Sequence, residues 1–224
     1  WSPQVNGVAR VQDAYAAELA HKGVIVVGIH PALFRSMPLP FYREIRLALF
    51  PYRSMSRLLS EEHPDAIHIM TEGPLGWAAR RYCIRMHIPF TTSYHTHFHL
   101  YVEKRLRGLL SLVTLFLRRF HASAARTFVS TPTLERELVK LGFLNVTVIP
   151  FGVDTDFFMH RTNPNLPKLT NPVFVYVGRL APEKSPEEFL MLDLPGTKLV
   201  IGDGPDRPKL ERRYGDSNVI FAGY

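Results

Sequence analysis

Val173-Phe174-Val175-Tyr176-Val177-Gly178-Arg179-Leu180-Ala181-Pro182-Glu183-Lys184 is the stretch whose reading decides the fold. The apolar run from Val173 to Val177 reads as a buried strand. It breaks at Gly178, and Arg179 and Lys184 stand on the turn that leaves it. In an open α/β sheet, ligands gather at the carboxyl ends of the strands. Two fixed cations at such an end suit a diphosphate, Arg by bidentate contact and Lys as a point charge. A second run, Lys198-Leu199-Val200-Ile201, leads into Gly202-Asp203-Gly204-Pro205, a further tight loop at the same sheet edge.

Working outward, helix and strand patterns alternate along the chain. Val8, Val11, Tyr15 and Leu19 mark one helical face that Gly23 closes. Strands are expected over 24–29, 66–70, 89–94, 127–130 and 146–149. Helices are expected over 53–62, 75–87, 103–126 and 132–141. Strands without polar alternation, separated by helices, predict a parallel sheet covered on both faces. The stretch 161–172 holds Asn163-Pro164, Pro167 and Asn171-Pro172 and no apolar period, so it reads as an interdomain linker. Beyond it, helices are expected over 186–192 and 206–214 and strands over 198–201 and 219–221. The predicted organisation is a domain over 1–160, a linker over 161–172 and a partial domain over 173–224. No strand precedes the loop Trp1-Ser2-Pro3-Gln4-Val5-Asn6-Gly7-Val8, and 173–224 supplies about half of a doubly wound domain. The chain is therefore expected to be part of a longer enzyme.

Composition narrows the partners. The chain has 224 residues, is 46% apolar and 21% charged, and carries a formal net charge of +7. That balance favours an anionic partner: a phosphorylated substrate, an anionic lipid or nucleic acid. Cys83 is the only cysteine, so no intrachain disulfide forms; it reads as a buried structural thiol in a reducing, cytosolic setting. The longest apolar stretch, 109–117, is about half the ~20 residues a spanning helix needs. Lys104, Arg105, Arg107, Arg118 and Arg119 flank it, and Arg80, Arg81 and Arg85 extend the basic patch. It reads as a core helix with a basic exposed face or as a membrane-surface contact.

Other candidates cluster at loops. Asn6-Gly7-Val8 opens the first helix, where glycine permits close approach and the helix terminus favours anions. Neither GxGxxG nor GxxxxGK[ST] occurs. Thr71-Glu72-Gly73-Pro74-Leu75-Gly76 reads as a substrate-side loop, or more plainly as a helix start capped by Thr71. Tyr94-His95-Thr96-His97-Phe98-His99 ends a strand, and alternation would line up His95, His97 and His99. Without a nearby carboxylate or cysteine cluster, a single histidine beside a sugar-phosphate is preferred over a metal site. His68, between Ile67 and Ile69, reads as packed.

In sequence order, Pro3-Gln4-Val5-Asn6-Gly7-Val8, Thr71 to Gly76, Tyr94-His95-Thr96 with Phe98 and Tyr101, Pro150-Phe151-Gly152-Val153-Asp154 with Phe157, Gly178-Arg179-Leu180 with Glu183-Lys184, and Gly202 to Pro205 resemble the family 4 glycosyltransferases of the GT-B fold. The branch most similar glycosylates lipids, as mannosyltransferases and sulfoquinovosyltransferases do. The resemblance implies two Rossmann-like, doubly wound parallel-sheet domains facing a cleft, the C-terminal one incomplete here. It implies retaining transfer of a hexose from a UDP- or GDP-linked sugar, which is a substrate, with no cofactor and no metal. The implied catalytic residues are His95, Arg179 and Lys184. Gly7, Arg179, Lys184, Gly202, Asp203 and Gly204 would bind the donor; Asn6, Thr71, Glu72, Tyr94 and Tyr101 would lie on the acceptor side. The acceptor is expected to be a lipid or glycan. The expected location is cytoplasmic, with peripheral contact at the anionic inner membrane face and no nucleic-acid partner. The resemblance implies a pair of glutamates further along the C-terminal domain than Tyr224, so slow or absent turnover by this chain is expected. The alternatives weighed are a GT-B sugar-nucleotide epimerase and a non-catalytic basic α/β module binding anionic lipid or nucleic acid.

Overall fold

A computed structural model of the chain describes residues 7–39, 42–95, 110–160, 169–215 and 218–223. These divide between two compact units, Trp1–Val153 and Asp154–Tyr224.

In the first unit, helix α1 (Gly7–His21) is followed by a hairpin of β1 (Ser36–Leu39) and β2 (Tyr42–Ala48), and then by α2 (Tyr52–Glu62). The central sheet comes next: β3 (Ile67–Ile69), α3 (Pro74–Arg85), β4 (Phe90–Ser93), α4 (Leu110–His121), β5 (Arg126–Val129), α5 (Pro132–Lys140) and β6 (Val146–Val148). Its four strands are parallel and lie in chain order. The start of α5 has a local cause. The Thr131 side chain accepts a hydrogen bond from Leu134 N (3.2 Å), Pro132 occupies the first turn and Glu135 favours the positive helix end. The buried residues of α2, α3 and the end of α4 (Met55, Leu59, Ala78, Ala79, Tyr82, Cys83 and Phe120) pack with Ile67, Ile69 and Phe90. A neighbouring cluster joins Leu117 of α4 and Leu134 and Leu138 of α5 to Val129, Tyr94 and Phe143. Cys83 is fully enclosed, and burial pushes its thiol up to about 11.

The second unit runs β7 (Val173–Val177), a one-turn helix (Pro182–Lys184), α6 (Pro186–Met191), β8 (Thr197–Ile201), α7 (Arg207–Tyr214) and β9 (Val219–Gly223), again parallel and in chain order. Its core is Leu180, Leu190, Val200, Leu210 and Val219. Of the stretch read as a linker, 161–168 lies outside the described residues. Its final part is anchored on β8: Thr170 N donates to Thr197 Oγ1 (3.0 Å) and Thr197 N to the Pro172 carbonyl (3.0 Å).

Several expectations need correction. The segment 24–29 is apolar yet not a strand, and Ile25 is 92% exposed. A β-rich run becomes a strand only when a neighbour takes its ladder hydrogen bonds, and none of the described strands does. The face of α1 expected to be buried leaves Tyr15 and Leu19 exposed. The helix expected over 103–126 ends at His121, and Arg126 opens β5; residues 101–109 lie outside the described residues. The strand at Val173–Val177 is real, but Val177 is 73% exposed and Val175 is exposed as well. Right-handed crossovers that advance steadily from β7 to β9 put both α6 and α7 on one face, so the other stays uncovered among the described residues. Thr71 does not cap α3: Gly73 holds the cap position, with no side-chain cap hydrogen bond, and Pro74 follows. Arg80 is no free member of a basic patch, because its guanidinium donates to the carbonyls of Arg119 (2.8 Å) and Phe120 (2.9 Å) at the end of α4.

Candidate active site

In the second unit the loops leaving β7 and β8 are pinned to each other, and the β8 loop to the last residue of β9, at the carboxyl edge of the sheet. Gly178 N donates to the Ile201 carbonyl (3.0 Å), Leu180 N to that of Asp203 (2.9 Å), Asp206 N to that of Leu180 (3.0 Å) and Gly202 N to that of Gly223 (2.7 Å). Glycine is a steric requirement here. Gly202 sits at φ +137°, and a Cβ on it would lie 2.0 Å from the Gly178 carbonyl oxygen. A Cβ on Gly204 would lie 2.3 Å from that of Leu180. The Asp203 carboxylate is occupied inside the loop: Oδ1 accepts from Gly204 N (2.7 Å) and Oδ2 from Arg207 Nη1 (3.1 Å). Arg179 and Lys184 lie on the turn after β7. The Tyr176 hydroxyl approaches the backbone carbonyls of both, at 3.1 Å and 3.4 Å, and ties the turn to its own strand. Lys184 is exposed and Arg179 half-buried. Two cations beside tightly folded backbone can cradle an anion.

In the first unit the equivalent edge carries Glu72 and His95. Ile69 of β3 pairs with Thr92 of β4, so the two residues leave adjacent strands at matching positions. The His95 ring stacks on Phe151 (6.0 Å, 21°). Its Nε2 is enclosed and has no hydrogen-bond partner among the described residues. Burial holds its pKa below the ordinary value, against an opposing pull from Glu72. Behind it, His68 is bonded at both ring nitrogens, to Thr91 Oγ1 (2.7 Å) and Ser93 Oγ (2.9 Å), and stacks on Phe128 (5.5 Å). Burial, then the neighbouring His95, lowers its pKa to about 4. Tyr94 is buried, which raises its phenol pKa, and Glu72 and Glu137 raise it further.

The remaining candidates fall as follows. Gly7 opens α1 in open surroundings. Thr71 turns its carbonyl onto α3, where a Cβ on Gly76 would lie 2.0 Å from it. The Glu72 carboxylate points inward: Oε1 accepts from His121 Nε2 (3.2 Å). Asn6, Tyr101, His97 and His99 lie outside the described residues. Within the second unit, Tyr176, Arg207, Gly202, Asp203 and Gly204 form one connected loop system; Tyr176 and Arg207 were not singled out from sequence. Nor was His121, whose only signal was a titratable residue at the buried register of an apolar helix. Among the described residues no helix is long and apolar enough to cross a membrane.

The family model described as Glycosyltransferase Family 4 matches residues 5–157. A sulfoquinovosyl transferase of Arabidopsis thaliana is 27% identical over 203 residues, which is 84% of this chain and 40% of that protein. A GDP-mannose-dependent alpha-mannosyltransferase of Mycobacterium tuberculosis is 27% identical over 216 residues, 92% of this chain and 55% of its own length. Its counterpart in Mycolicibacterium smegmatis is 26% identical, over 87% of this chain and 52% of that protein. The chain thus spans about half the length of the curated relatives it matches.

Proposed function

This chain belongs to glycosyltransferase family 4, and from that premise we propose that the protein moves a hexose from a nucleotide sugar to a lipid or glycolipid acceptor with retention of configuration. The observation that carries the donor half of this reading is the pinned loop pair, 178–180 against 202–206, with Arg179 and Lys184 beside it. The departing nucleoside diphosphate gains negative charge as the glycosidic bond breaks. Fixed cations and backbone amides aimed at that charge lower the barrier. The second unit is accordingly the donor side, and Asp203 acts by shaping the loop. In the first unit, the Nε2 of His95, which has no hydrogen-bond partner among the described residues, suits a hydroxyl of the transferred sugar, since a buried ring nitrogen gains from a partner there.

A lipid acceptor draws support from α4, which exposes Leu112, Leu115 and Phe116 beside Arg118 and Arg119. An apolar face edged by arginines suits the anionic cytosolic side of a membrane. The relatives named for GDP-mannose make it the first donor to test. Calorimetric titration of the protein with GDP-mannose and UDP-glucose reads out the proposal. Binding by the parent that weakens tenfold or more in Arg179→Ala and in Lys184→Ala is expected, which corresponds to about 1.4 kcal/mol or more each. Equal binding by parent and both variants would remove these residues from the donor site.

A further inference from the structure

A chain of buried polar side chains crosses the first unit behind the strand ends. Thr127 Oγ1 on β5 lies 3.0 Å from Thr92 Oγ1 on β4, Thr92 Oγ1 lies 2.8 Å from His121 Nδ1, and His121 Nε2 lies 3.2 Å from Glu72 Oε1. Thr92, Thr127 and His121 are fully buried. The rings of Phe120, Tyr94 and Phe143 enclose the imidazole, with centroids 4.9, 5.7 and 5.8 Å away. Glu72 as a carboxylate can only accept, so Nε2 carries the proton in the bond between them. One imidazole therefore spends both nitrogens on fixing one carboxylate. The other carboxylate oxygen, Oε2, has no hydrogen-bond partner among the described residues.

The matching departure of Glu72 and His95 from β3 and β4 decides what this fixing is for. We propose that His121 is a positioning residue: its Nε2–H holds the Glu72 carboxylate at the end of β3, so that Oε2 stands as a fixed anion beside His95 at the end of β4. His95 would then meet its substrate hydroxyl in one orientation. That last clause rests on the glycosyltransferase reading; the arrangement of the three side chains does not. Among the described residues, few other ionisable groups act on His95. His68 reaches it from β3, Glu72 from the loop after β3, and Tyr94, its chain neighbour, is acted on by Glu72 and Glu137. The ring packed on its face, Phe151, is uncharged.

The test is an NMR titration of the His95 imidazole in this chain, which needs no substrate and so fails or succeeds independently of donor binding. Glu72→Gln removes the anion and is expected to lower the His95 midpoint by about half a pH unit or more. His121→Asn keeps a group near Thr92 but none that reaches Glu72, and is expected to lower the midpoint in the same direction. His121→Gln places an amide N–H where Nε2–H stood and is expected to restore the parent midpoint. In the Glu72→Gln background, His121→Asn is expected to add nothing, because the positioned group is gone. Equal shifts for His121→Asn and His121→Gln would mark His121 as packing only. An unchanged midpoint in Glu72→Gln, the substitution at the least enclosed position, would overturn the proposal even if the His121 variants do not fold.

Discussion

Single residues at the strand ends carry tight physical constraints. Gly202 is the strictest case. Alanine there would take a strained φ of +137° and press its methyl against the Gly178 carbonyl. Gly202→Ala is expected to cost about 2–3 kcal/mol in urea unfolding of the second unit. His68 gives a pH signature. Part of the residue meets solvent, yet both ring nitrogens are bonded and its pKa lies near 4. In the unfolded chain an ordinary histidine binds a proton near pH 6.5. The unfolded state therefore holds more protons between those two values, and stability falls as pH drops from about 6.5 toward 4. The urea midpoint is expected to decrease between pH 7 and pH 5, and His68→Gln should flatten that decrease. At this scale sequence reading was uneven. Gly202 and Arg179 announced themselves by standing just after apolar runs. His121 did not, because its partner Glu72 is 49 positions away and only the folded sheet brings them together.

Among the elements, α4 is held by a neighbour's side chain. Arg80 of α3 donates to the carbonyls of Arg119 and Phe120 and to Ser123 Oγ (2.8 Å), and its guanidinium lies 5.1 Å from the centre of the Trp77 ring. The negative end of α4 is thus closed by a planar cation. Arg80→Ala is expected to destabilise the first unit by about 1–3 kcal/mol, since charge-assisted hydrogen bonds of this sort are lost. Arg80→Lys should recover little, because a point charge cannot reach three acceptors in one plane. Thermal unfolding of both variants measures this. Element existence was legible where a run met a punctuation mark at Thr131-Pro132 and at Gly178, but not at 24–29, although Gly23 stands before it. Coverage was not legible. The exposure of Val175 and Val177 follows from the handedness of two crossovers, which no local pattern encodes. The failure at 24–29 has the same character, because pairing belongs to a strand and its neighbour together.

Across the whole molecule, two compact units each close their own core. The alternation of strand and helix from β3 to β9, and hence the parallel α/β fold, was readable; the antiparallel β1–β2 pair was not. The candidate site was readable as loops but not as a bonded system. A lesion in one core is expected to stay there: Gly202→Ala should lower amide-exchange protection across 173–223 while leaving β3, β4 and β5 near their parent values. The enclosed thiol of Cys83 offers a way to time the first unit's behaviour. It is the chain's only cysteine, wholly inaccessible, and its thiolate is suppressed by a pKa near 11. At neutral pH the thiol is therefore expected to react with alkylating reagents only through opening of the α2–α3 core. With no engineered label, the mass gained per hour becomes a clock for that opening.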